Sequence, residues 1–144
     1  MRRVLVRIPN WLGDALMARP LLRALRGAFP AAVFVAVGPG PLLELLAPDR
    51  VWDEAYGWPL APGAMAALRS PRPDAALVLP PSFSSAWFAF RTGARRRVGF
   101  AADGRSPLLT RAVRRPARGD LHQSREYLRL ALIDFPRADR RGRS

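Results

Sequence analysis

The chain has 144 residues, 49% hydrophobic and 24% charged, which suits one folded domain with its own core and excludes a disordered chain. It has no cysteine, so disulfides and thiolate metal sites are excluded and a reducing compartment fits. The formal charge is +13 and every basic residue is an arginine, with nine arginines against six acids up to residue 90 and fifteen against five beyond it. That imbalance implies an anionic partner, whether nucleic acid, a phospholipid surface or a phosphorylated substrate; the bland alternative is a GC-rich genome using arginine on solvated faces.

Met1-Arg2-Arg3 precedes an apolar run too short for a secretory signal, and Arg7 and Asp14 interrupt it. Val4–Ile8 reads as a first strand. Leu21, Ala24, Leu25 and Ala28 then recur at helical spacing, with Pro20 inside the helix and expected to bend it. Ala32–Val37 is a second strand closed by Gly38-Pro39-Gly40. Leu42–Leu46 forms a short helix, Val51–Tyr56 a weak third strand, and Gly63–Arg69 a helix after a proline-bounded loop. Ala75–Leu79 is a continuous apolar run, as a parallel strand buried on both faces requires. The apolar stretch from there to Phe90 is broken by Pro80-Pro81 and three serines, so no membrane span is predicted. Phe83, Ala86, Trp87 and Phe90 mark the buried stripe of the next helix, and Arg97–Phe100 a fifth strand. Residues 101–121 read as loop, followed by a helix from near His122 with Leu128, Ala131, Leu132 and Phe135 on one face. Five strands interleaved with helices predict an α/β fold, a doubly wound parallel sheet. Residues 136–144 read as a disordered basic tail, and the chain stops as a truncated gene, a frameshift or a trimmed piece would.

The residues suited to chemistry gather where strands turn into helices, the ligand edge of an open α/β sheet. Pro9-Asn10-Trp11-Leu12-Gly13-Asp14 is the first such turn. A carboxylate in the first helical turn is favoured by the helix dipole alone, and Asp14 is also placed to accept a proton from an attacking hydroxyl. Asn10, Trp11 and Gly13 line the same mouth. Trp11 reads equally as a hydrophobic staple or as a wall for a sugar, and Gly13 permits close approach of a phosphate or sugar. No G-x-G-x-x-G follows the first strand, so this is not a dinucleotide fingerprint. Ser82 and Ser84 follow the buried fourth strand, Ser82 as a plausible helix cap. The single histidine, His122, has no serine or aspartate placed to complete a triad and reads as a helix-start residue.

Several segments together resemble the bacterial lipopolysaccharide heptosyltransferases, which move heptose from ADP-heptose onto the inner core of lipid A. They are the hexapeptide, Leu79-Pro80-Pro81-Ser82-Phe83-Ser84-Ser85-Ala86, Gly93-Ala94-Arg95-Arg96-Arg97-Val98-Gly99-Phe100, Asp103-Gly104-Arg105, and His122-Gln123 with Glu126-Tyr127-Leu128. The resemblance runs from Val4 to about Leu132, with Pro81 where that family has asparagine. It implies that Asp14, matching the aspartate of the family's Gly-Asp pair, is the general base that activates the acceptor hydroxyl. It further implies a Rossmann-like N-terminal half of a GT-B glycosyltransferase, with residues 1–135 on the acceptor side, the C-terminal donor-binding domain absent, and the chain inactive alone. Substrate contacts are then expected from Asn10, Trp11, Gly13, Ser82, Ser84, Arg97 and Arg105, with Arg95–Arg97 and Arg105 on phosphates of the acceptor or of the membrane. The implied partners are ADP-heptose, a phosphorylated glycolipid and the inner face of the plasma membrane, met from the cytoplasm, with no metal or cofactor. A non-catalytic scaffold or pseudoenzyme stays open, as does a nucleic-acid module. Against the latter, the aromatic residues fall at core spacing and do not interleave with arginine.

Overall fold

Short aliphatic runs separated by helices need a sheet covered on both faces, and the chain builds one. The computed structural model describes residues 2–80, 83–101 and 111–114. Within them, β1 (Arg3–Arg7), β2 (Val33–Gly38), β3 (Glu54–Gly57), β4 (Ala75–Val78), β5 (Arg96–Ala101) and β6 (Arg111–Arg114) form one sheet in the order β3-β2-β1-β4-β5-β6. Every neighbouring pair is parallel. The strand order reverses between β1 and β4, and ligands of open α/β sheets bind in the crevice beyond the carboxyl ends at such a point. Register sets Arg7 beside Val37 on one side and Val78 on the other.

Alternation along the strands splits the core into two layers. Val4, Val6 and Ile8 pack with Phe34 and Ala36 under α1 (Leu12–Met17), α2 (Arg19–Ala28) and α3 (Gly40–Leu46). Leu5, Val35, Val37, Ala76 and Val78 pack on the other face under α4 (Ala64–Arg69) and α5 (Phe83–Arg91). Two arginines of α2 clamp it to the next elements. Arg19 forks onto Asp49 at 2.8 and 2.9 Å, and that hydrogen bond is the main reason the Asp49 carboxyl falls to about 2. Arg26 donates to the carbonyls of Pro30 (2.6 Å), Ala32 (2.8 Å) and Val51 (3.2 Å), with its guanidinium 4.4 Å from the Phe34 ring. None of the described helices is long and apolar enough to cross a membrane.

Four expectations change. The helix expected to bend at Pro20 is two helices meeting at Ala18, with Pro20 in the first turn of α2. Proline has no N–H and its ring crowds the carbonyl four residues back, so it starts a helix more easily than it continues one. The third strand begins only at Glu54, because Asp53 is held aside: its N–H donates to the Phe34 carbonyl while its carboxylate accepts from the Phe34 N–H at 2.9 Å. β6 lies inside the stretch expected to be loop; pairing along a sheet edge is made by backbone, so its flanking arginines did not prevent it. The last helix near His122 and the basic tail lie outside the described residues.

The fourth change is the face of α5. Ser85, Ala86, Phe88 and Ala89 are buried, whereas Trp87 and Phe90 are 46% and 44% exposed and stack on each other, centroids 5.6 Å apart at 16°. Helical spacing fits either stripe, and the inward one suits a tight approach because most of its side chains are small. Its hydroxyls are satisfied locally, Ser85 donating to the Pro80 carbonyl at 3.1 Å and Thr92 to that of Ala89 at 2.6 Å. Phe88→Ala is therefore expected to cost about 3–5 kcal/mol in urea unfolding, and Trp87→Ala less than about 1 kcal/mol. Equal losses would mean that α5 packs by its other face.

Candidate functional site

The first turn of the ligand edge is set by where β1 runs out of partners. The Leu79 N–H donates to the Arg7 carbonyl at 3.1 Å and the Ile8 N–H to that of Val37 at 2.9 Å, and then Pro9 offers no donor. The chain leaves the sheet, and Trp11 starts α1 with extended backbone, its carbonyl accepting from the Ala15 N–H at 2.9 Å. Asp14 stands half-buried in the first turn of that helix, at the carboxyl edge of β1. A Cβ added at Gly13 would meet nothing within 4 Å, so the space over the helix start is open. Trp11 is 69% exposed, which removes the staple and leaves its ring at the mouth. Asn10 is exposed beside it.

Arg7, which sequence reasoning passed over as a mere interruption of the first strand, ties this mouth to the sheet. Its side chain is on the α4–α5 face and only 2% of the residue is exposed. Nη1 donates to the Ile8 carbonyl at 2.8 Å and Nη2 to Asn10 Oδ1 at 3.0 Å, while the guanidinium lies 4.5 Å from the centre of the Trp58 ring. Its Nε is buried with no hydrogen-bond partner among the described residues. Burial lowers its pKa to about 10, so it remains a cation at neutral pH. The only sequence signal was a charge within an apolar strand whose neighbours are buried on both faces.

The second edge turn follows β4. Ser84 is exposed on the first turn of α5 and helps line a cavity of about 380 Å³ with Trp58, Leu60, Met65, Phe88 and Arg91. Trp58 meets Phe88 edge-on at 5.2 Å, and the same Trp58 ring covers Arg7, so the cavity wall and the mouth share one guanidinium. Asn10, Trp11, Gly13 and Asp14 are thus together, and Ser84 lies on the adjoining edge turn. Arg97 is not with them. It pairs with Ala76, which pairs with Leu5, so it sits below the carboxyl end of β1, and its Nη1 reaches back to the Ala94 carbonyl at 2.9 Å. A parallel strand starting at Arg96 necessarily leaves its first residues toward the opposite edge from Asp14. Burial first, and Arg72 second, lower the Arg97 pKa. Ser82, Arg105 and His122 lie outside the described residues. Among the described residues, no group of three or more His, Asp or Glu side chains is arranged to hold a metal ion.

The strand order defines a Rossmann-like α/β domain, with the helix-start carboxylate at the reversal and a candidate site in the crevice beyond β1 and β4. The chain belongs to glycosyltransferase family 9, the heptosyltransferases, whose family model matches residues 64–141. It is 34% identical over 116 residues to lipopolysaccharide heptosyltransferase 2 of Escherichia coli K12, a match covering 74% of this chain and 33% of that protein. The Salmonella typhimurium counterpart is 34% identical over 119 residues, covering 76% and 34%. Among solved structures, E. coli ADP-heptose LPS heptosyltransferase II superposes with a TM-score of 0.75 at 30% identity, covering 91% of this chain and 40% of that one. E. coli heptosyltransferase WaaC with ADP shares the fold, with a TM-score of 0.70 at 18% identity over 91% of this chain and 47% of that one. The chain spans about a third of the length of the curated relatives it matches.

Proposed function

We propose that this chain forms the acceptor side of a glycosyltransferase that moves heptose from ADP-heptose to a phosphorylated sugar of the lipopolysaccharide inner core, with inversion at the anomeric carbon. The observation that carries this reading is Asp14, in the first helical turn after β1, at the strand-order reversal and next to the open space over Gly13. Its carboxylate takes the acceptor hydroxyl proton as that oxygen bonds to the anomeric carbon; the bond from that carbon to the ADP oxygen breaks, and its electron pair leaves with ADP. Trp11 offers an exposed ring face to a sugar. The test incubates ADP-heptose and heptose-deficient lipopolysaccharide with an enzyme containing this chain and reads the product by NMR. Heptose joined with inverted anomeric configuration supports the proposal; no heptose joined, or retained configuration, overturns it.

The outer face of α5 and the start of β5 supports contact of the same enzyme with an anionic membrane surface. Trp87 and Phe90 are exposed there, Arg97 lies 5.1 Å from the Phe90 ring, Arg91 and Arg95 are exposed, and no acid occurs between Asp74 and Asp103. Arginine and aromatic side chains do interleave on this face, so their supposed separation no longer argues against nucleic acid, and the charge must be tested directly. Residues 1–144 are expected to sediment with phosphatidylglycerol vesicles. Arg91→Ala with Arg95→Ala lowers partitioning about 30-fold, at about 1 kcal/mol per arginine near such a surface. Vesicle binding unchanged by the double substitution, or stronger binding to single-stranded DNA at equal salt, goes against the membrane surface.

A further inference from the structure

An arginine has donors only, so whichever amide atom of Asn10 meets Arg7 Nη2 at 3.0 Å must be the oxygen. The two groups on an amide carbon point apart. With Oδ1 turned inward to a guanidinium that is 2% exposed, Nδ2 is turned outward, on a residue that is itself exposed at the mouth. The guanidinium cannot easily release that oxygen. It is held from two sides, by the Ile8 carbonyl at 2.8 Å and by the Trp58 ring at 4.5 Å. A Cβ at Gly38 would come to 3.0 Å from the Ile8 Cβ, so the glycine lets β2 run close to Ile8, the residue whose carbonyl Arg7 meets. Among the described residues Arg7 has no carboxylate partner, which makes the Asn10 oxygen one of its few polar partners in a dry place.

We propose that Arg7 is a positioning residue that locks the Asn10 amide with its two N–H donors facing the mouth, making Asn10 a donor-only group that selects an oxygen acceptor on the bound sugar or its phosphate. The sugar ligand rests on the function proposed above; the orientation of the amide does not. Asn10 then distinguishes a ligand oxygen from a ligand N–H, which a freely turning amide would not.

Two shape-matched substitutions separate this role from a scaffolding one. Asn10→Asp gives Arg7 a charged partner and removes both donors, whereas Asn10→Leu removes the donors and takes from Arg7 Nη2 the oxygen it meets. On residues 1–144, the melting temperature is expected to stay level or rise for Asn10→Asp and to fall for Asn10→Leu. The Kd for heptose-deficient lipopolysaccharide, followed by calorimetry, is expected to rise about 10-fold in both, the worth of one lost hydrogen bond. Opposite changes in stability with the same loss of binding cannot come from a tether alone. Affinity that follows the melting temperature overturns the donor role. So does weakened binding by Asn10→Asp alone, which is charge repulsion, and so does wild-type affinity in both variants. A fall in melting temperature for Asn10→Asp overturns the Arg7 contact itself. If the wild-type chain binds no lipopolysaccharide, the donor role falls together with the acceptor on which it rests, while the order of melting temperatures still reports the contact.

Discussion

Asp14→Asn slows heptose transfer by roughly 10²–10⁴-fold, the usual worth of a general base, and leaves ADP-heptose binding nearly unchanged. The measurement belongs in an enzyme where this chain faces a donor-binding domain, under conditions where chemistry limits turnover. Asparagine keeps the size and the helix-start position of Asp14 but cannot take up the hydroxyl proton. Such a loss corresponds to about 3–5 kcal/mol of barrier. A carboxylate that serves only the dipole of α1 contributes about 0.3–1 kcal/mol, and to stability rather than to rate. The two roles therefore separate cleanly: a kcat loss of several hundredfold with a small change in melting temperature is the mark of the base. Full turnover by Asp14→Asn would reduce Asp14 to a helix-start residue.

Residues 1–144 by themselves are expected to transfer no heptose. Inversion needs the acceptor hydroxyl, the Asp14 carboxylate and the anomeric carbon in one near-attack arrangement, and positioning of that kind can lower a barrier by roughly 7–11 kcal/mol. The described residues leave the mouth open to solvent: Asn10, Trp11 and Leu12 are exposed, and the space over Gly13 is open. A donor bound against that mouth alone would have its anomeric carbon in bulk water. The arginines attract anionic glycolipid without any second wall, so weak binding that fades as salt rises is expected to remain. Calorimetry with ADP-heptose and a transfer assay on the purified 144-residue chain check both parts. Tight donor binding or measurable transfer would show that the donor site does not depend on a facing domain.

The sequence alone determined the parallel sheet and the place of Asp14. Ala75–Leu79 and Ala32–Val37 are apolar at nearly every position, which only a strand covered on both faces needs. The turn from Val6 into Gly13-Asp14 could then fall only at the carboxyl edge. These are local facts, written in composition and period. The tertiary structure decided what local pattern leaves degenerate. Two stripes of α5 satisfy helical spacing, and the sheet chose the one with Ser85, Phe88 and Ala89 because small side chains let the helix approach, which put Trp87 and Phe90 outside. The direction of β5 decides where the run Arg95-Arg96-Arg97 stands, toward the opposite edge of the sheet from Asp14. Most of all, the contact of Arg7 with Asn10 and Trp58 joins β1, the edge turn and the end of β3. Residues 7 and 58 have no sequence relation that would announce it. A buried arginine acquires its meaning from what surrounds it, and its surroundings exist only once three separate segments are packed together.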